Sequence, residues 1–123
     1  MWFDAEANFA RFSHKDSIDF YLKKIKSLGF THAVVDVRPI TGEVLFNSKY
    51  APRMEEWNGA PRGDFDYLGY FIEQGHKQGL EVHASLNVFC AGHNYFDRGL
   101  VYSGHPEWAS TVYNPDRGLI PIT

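Results

Sequence analysis

A helical stripe, a glycine and a short apolar run follow one another twice in this chain, and that double cycle restricts the folds open to it. In the first cycle Ile18, Tyr21, Leu22, Ile25 and Leu28 recur at intervals of three and four, with Lys15, Asp16, Lys23 and Lys26 off the stripe. That spacing predicts an amphipathic helix, with Ser13 available as its cap and Gly29 as its end. Residues 30–38 are rich in β-branched side chains and stop at Pro39, which reads as a strand. The second cycle opens at Asp64 or Asp66, places Leu68, Phe71, Ile72 and Gly75 on one face, ends at Gly79, and leads into a strand over residues 80–89. Residues 2–7 read as an earlier strand, so the predicted order is β-α-β-α-β. Strands that alternate with helices imply right-handed crossovers and a parallel sheet, and hence an α/β fold.

Side chains two apart in a strand share a face. Ala33, Val35 and Val37 therefore oppose Val34, Asp36 and Arg38, while Val82, Ala84, Leu86 and Val88 oppose His83, Ser85, Asn87 and Phe89. In the first strand Phe3, Ala5 and Ala7 oppose Trp2, Asp4 and Glu6. One face of each strand is apolar and the other turns polar toward its C-terminal end, which suits the mouth of a closed barrel better than an open sheet covered on both sides. Two long connections, residues 39–63 and the stretch from Cys90 onward, both leave the C-terminal ends of strands, the side where parallel α/β folds carry their sites. A complete eight-unit (β/α)8 TIM barrel takes about 250 residues. Residues 1–123 are accordingly expected to be the N-terminal part of an incomplete barrel domain, its first two to three βα units.

Composition excludes several other classes. With 44% apolar and 16% aromatic residues there is material for a core, yet no apolar run is long enough to span a bilayer. The net charge of −3 argues against a nucleic-acid partner, since such proteins concentrate Lys and Arg on one face. Cys90 is the single cysteine, which excludes an internal disulfide and any multi-cysteine metal site. No charged-then-apolar signal segment opens the chain, and Gly92, Gly99 and Gly104 form no phosphate-binding pattern.

The run Leu28-Gly29-Phe30-Thr31-His32-Ala33-Val34-Val35-Asp36-Val37-Arg38-Pro39, the segments Gly42-Glu43-Val44-Leu45-Phe46 and Ser48-Lys49-Tyr50, and the run His76-Lys77-Gln78-Gly79-Leu80-Glu81-Val82-His83-Ala84-Ser85-Leu86-Asn87 occur in that order. Together they resemble the glycosyl-hydrolase-like family 10, bacterial cell-envelope proteins with a TIM-barrel domain. Ser85 stands where relatives often carry an aromatic residue, and Val88-Phe89 replaces a frequent Pro-Tyr. The resemblance implies a glycoside hydrolase that cleaves polysaccharide by carboxylate acid/base chemistry, without a cofactor, in an exported protein. It also implies that the main catalytic carboxylates lie beyond Thr123, so residues 1–123 alone should be inactive.

Glycoside hydrolysis needs a carboxylic acid at the leaving oxygen and a second carboxylate as nucleophile or base. Asp4, Glu6 and Asp36 are the visible candidates, and Asp36 is the one offered as a weak catalytic candidate; its alternative is an ion pair with Arg38. The expected glycan-binding residues are Asp36, Arg38 and Asn87, with His83 in support. Trp57 and Tyr95 are expected to stack on sugar faces, as the preferred rings of two aromatic-rich loops. Two other readings stay open: a barrel that binds carbohydrate without cutting it, and a metal-dependent hydrolase built from His83, His93, His105 and Asp36. The histidine spacing matches no metal motif, so no metal is expected.

Overall fold

Ala33, Val35 and Val37 are each fully buried, as the alternation of their strand requires, and they form the floor on which the helices pack. A computed structural model describes residues 1–122; the carboxylates expected beyond Thr123 lie outside them. In chain order the elements are β1 (Trp2–Phe3), α1 (Ala5–Phe12), α2 (Lys15–Ser27), β2 (His32–Arg38), β3 (Glu56–Trp57), β4 (Ala60–Pro61), α3 (Tyr67–Lys77), β5 (Glu81–Leu86), α4 (Leu100–Gly104), β6 (Thr111–Asn114) and β7 (Gly118–Pro121). The fold is α/β. Its main sheet has three strands in the order β1-β2-β5, all parallel. β3–β4 and β6–β7 are separate antiparallel ribbons, and among the described residues no sheet closes on itself.

The opening differs from the expected strand over residues 2–7. Asp4 accepts a hydrogen bond from the Ala7 amide at 2.7 Å and caps α1, so the strand ends after two residues. Helical spacing of Ala5, Phe9 and Phe12, all buried, competes with the period-two pattern and prevails. Ser13 closes this helix instead of opening the next: its amide and hydroxyl both bond the Phe9 carbonyl. α2 follows with Ile18, Leu22 and Ile25 buried, as its stripe predicts, whereas Leu28 is exposed. Asp66 caps α3 through the Gly69 amide.

Phe3 from β1, Phe12 from α1 and Phe71 from α3 meet edge-on with centroids 5.3–5.6 Å apart, joining sheet and helices in one core. Such pairs contribute about 1 kcal/mol each beyond burial. Gly75 lets α3 lie against β5, because a Cβ there would stand 2.5 Å from Val82 Cγ2.

Neither long connection is bare. The first carries the β3–β4 ribbon, turned at Asn58-Gly59 with both residues at positive φ, and sends Leu45, Met54 and Trp57 into the core. The second carries α4, a 3₁₀ turn at Pro106–Trp108 and the β6–β7 hairpin. Arg98 joins the two: its guanidinium meets Glu43 at 3.1 Å and Glu56 at 3.0 Å and lies over the Trp57 ring. At Gly99, with φ +106°, a Cβ would stand 2.6 Å from the carbonyl oxygens of both Thr41 and Ala91, so the two loops touch backbone to backbone there.

Candidate functional site

The C-terminal ends of the three parallel strands border an open cleft of about 390 Å³. Asp4 follows β1, and Glu6 reaches the cleft from the first turn of α1. Asp36 comes from β2, with Pro39 and Ile40 behind it, and Ser85, Leu86 and Asn87 come from the end of β5. The lining holds three carboxylates and no cation.

The ladder explains this arrangement. Asp36 is level with Ser85, but the next pair is Arg38 with Leu86, so Val37 is an extra residue, a bulge, in β2. Beyond it the Asn87 amide donates to the Arg38 carbonyl at 3.1 Å, which holds Asn87 at the rim. Strict alternation ends here: three consecutive residues of the β5 end, Leu86 included, border the cleft.

Glu6 Oε1 accepts from the Ile40 amide at 3.1 Å, tying α1 to the start of the first long connection. Burial pushes the Glu6 carboxyl above its ordinary range; the Ile40 amide offsets part of this, and the charges of Asp4 and Asp36 add to it. Burial also raises the Asp36 carboxyl, against the pull of the Ala5 amide, and the charge of Asp4 raises it further. Tyr67, in the first turn of α3, is raised by burial and then by the charges of Asp36 and Asp4. Carboxyl groups held partly desolvated and close together in a cleft are the groups that bind, donate or accept protons in active sites.

Residues 1–118 match the model of the family described as glycosyl hydrolase-like 10. The chain belongs to this family. It is 30% identical, over 98% of its own length, to an S-layer-related protein of Niallia circulans, and covers 8% of that protein. It is also 30% identical, over 76% of its length, to the glycosyl hydrolase YngK of Bacillus subtilis strain 168, and covers 19% of it. The chain thus spans less than a fifth of either relative, and within that span it is a glycosidase-like α/β segment.

Of the glycan-binding residues expected in this glycosyl hydrolase-like 10 chain, Asp36 and Asn87 border the cleft together, beside the other two carboxylate candidates, Asp4 and Glu6. Arg38 does not join them in the expected way. It forms no ion pair with Asp36 or Asp4 among the described residues; one guanidinium nitrogen donates to the Val88 carbonyl at 3.2 Å, and its Nε is buried without a partner. His83 lies outside the lining, beside His32 and Glu81 nearer the other end of the sheet. Trp57 is a core residue, 8% exposed, packed on Phe96 at 4.8 Å, because the connection that carries it must be held down by apolar anchors. Tyr95 is 82% exposed and stands edge-on to Phe96.

The histidines of the alternative metal reading, His83, His93 and His105, do not cluster with Asp36. His93 packs on Phe96, and His105 stacks on Trp108 while bonding Glu107 at 2.9 Å. Conversely, sequence reasoning did not single out Ser85 as a site residue and placed Glu6 on a strand face. The S/T/D-x-x pattern at Asp4, followed by a helical stripe, was the available signal for the helix.

Proposed function

We propose that this chain supplies the first βα units of a (β/α)8 glycoside-hydrolase barrel and one wall of its glycan cleft. The observation that carries this reading is the convergence of Asp4, Glu6 and Asp36 with Ser85 and Asn87 at the C-terminal ends of adjacent parallel strands. Asp36 and Ser85 offer an acceptor and a donor at the spacing of neighbouring strands, about 4.8 Å, and Asn87 adds both two residues further on, which suits successive sugar hydroxyls. Asp4 is spent on capping α1, so it serves the site through its charge. A wall of three carboxylates without a cation disfavours polyanionic glycans and favours neutral polysaccharide.

The acid and nucleophile or base of the reaction belong to later strands of the same barrel, and Asp36 positions substrate. The S-layer-related name of one relative supports a cell-surface setting and, with it, export. No helix among the described residues is long and apolar enough to cross a membrane.

The deciding experiment uses the full-length protein on a panel of neutral polysaccharides, with Asp36→Asn beside the unchanged protein. Substrate positioning predicts a fall in kcat/KM of about 10-fold with turnover retained. A loss above about 10³-fold would make Asp36 a principal catalytic carboxylate. Retention of glycan without any hydrolysis by the unchanged protein would favour the non-catalytic carbohydrate-binding barrel. Residues 1–123 alone should release no sugar from any of these substrates, and measurable hydrolysis by them would overturn the placement of the catalytic pair.

A further inference from the structure

The end of the sheet away from the cleft carries a second cluster. His32 begins β2 and Glu81 begins β5, and the two are level in the parallel ladder; His83 lies two residues further on, on the same face as Glu81. His32 Nε2 is 3.2 Å from Glu81 Oε2, and His83 Nε2 is 3.8 Å from the same oxygen. One ligand atom from each of the three residues falls within 4.8 Å of the others. The two imidazoles stack at 5.4 Å with an interplanar angle of 15°, so each limits the rotation of the other.

We infer that His32, Glu81 and His83 form a site for one divalent metal ion of the zinc class, which clips β2 to β5 at the N-terminal end of the sheet. Two imidazoles and a carboxylate are an ordinary donor set for such an ion, with water completing a tetrahedron. Ligand atoms around tetrahedral zinc stand about 3.3 Å apart. The contacts of Glu81 with the two histidines, 3.2 and 3.8 Å, are already close to that spacing, and closing the site takes only small side-chain rotations.

The backbone beneath the cluster is fixed, since the Glu81 amide donates to the Thr31 carbonyl at 2.9 Å. The second nitrogen of His32 is anchored as well: Nδ1 lies 2.6 Å from Thr31 Oγ1. A hydroxyl accepts as readily as it donates. Thr31 can therefore hold the proton of Nδ1 while Nε2 presents its lone pair outward, the orienting contact that metal-bound histidines use. His32 stands four residues, about 13 Å, from Asp36, and His83 two residues, about 6.6 Å, from Ser85 on the same strand face, so the three ligands share no residue with the cleft. The site stands on the geometry of two strands and holds whether or not the glycan reading does.

The test is equilibrium dialysis of the purified full-length protein against Zn²⁺, with bound metal measured by elemental analysis, and Co²⁺ substitution followed by visible absorption. One equivalent that falls at least about 10-fold in affinity in His32→Ala and in Glu81→Gln, but is unchanged in His93→Ala and His105→Ala, is the expected result. Co²⁺ should give the intense visible bands of a tetrahedral site, lost in the same two variants. Circular dichroism separates ligand loss from unfolding, and Glu81→Gln, which keeps the size and shape of the side chain, keeps the test valid if His32→Ala is poorly folded. Metal binding that is absent, or that survives both His32→Ala and Glu81→Gln, would overturn the assignment and leave an imidazole–carboxylate contact only.

Discussion

Asp36 is held in a state that costs the fold stability. Its carboxyl is raised above the ordinary 3.8, first by burial, so the folded chain binds that proton more tightly than the unfolded chain does. Below 3.8 both states are protonated and there is no penalty. As pH rises through the raised value, stability is lost, and the deficit persists at neutral pH. Asp36→Asn should therefore be more stable than the unchanged protein at pH 7, with the gap closing toward pH 3.5. Denaturant titrations of the two proteins at several pH values measure this, and an Asn variant less stable at pH 7 would contradict it. Glu6 carries a shift of the same sign. A residue that lowers stability while bordering a cleft is one a binding role explains. Asp36 was legible in sequence from its alternation and its place before Arg38 and Pro39. The bulge at Val37, which decides what Arg38 reaches, was not.

The two long connections behave as built parts. Arg98 bonds Glu43 and Glu56 at once, with its side chain 20% exposed and that of Glu43 14% exposed. Removing it leaves two carboxylates facing each other without a cation. Arg98→Ala should cost about 2 kcal/mol in denaturant unfolding and open residues 90–104 to proteolysis before the rest of the chain. Arg98→Lys should restore only part, because an ammonium cannot reproduce the fork that meets both carboxylates. Equal protease resistance in all three proteins would show that glycine packing at Gly99 and the Trp57–Phe96 contact hold the loops unaided. The aromatic content of these loops was plain from sequence. Its division into anchors such as Trp57 and free rings such as Tyr95 depends on which loop lies beneath the other.

At the scale of the molecule, β1 and β5 each pair on one side only among the described residues. Beside them stand Trp2, Leu86, Val88 and Phe89, exposed at 61%, 48%, 64% and 97%. Unpaired edges next to apolar surface drive association. Residues 1–123 by themselves should self-associate with rising concentration in sedimentation or light scattering, and Val88→Lys with Phe89→Glu should reduce this. A protein that carries further βα units against β1 and β5 should remain dispersed at the same concentration. A monomeric chain 1–123 would argue that these surfaces need no cover, and with it against the barrel reading.

The sequence by itself determined the succession α2, β2, α3 and β5, the buried faces of β2 and α2, an aspartate cap for α3 and the family, but not the elements inside the two long connections. The former follow from periodicity and local hydrogen bonding, which act over a few residues and survive without knowledge of the rest of the chain. Tertiary structure alone decided which polar groups meet. Glu6 reaches Ile40 across 34 positions and Arg98 reaches Glu43 across 55. His32 finds Glu81 and His83 through strand register. Such meetings depend on register, a single bulge and the docking of loops on one core, and a one-residue change in any of these moves a side chain to another face.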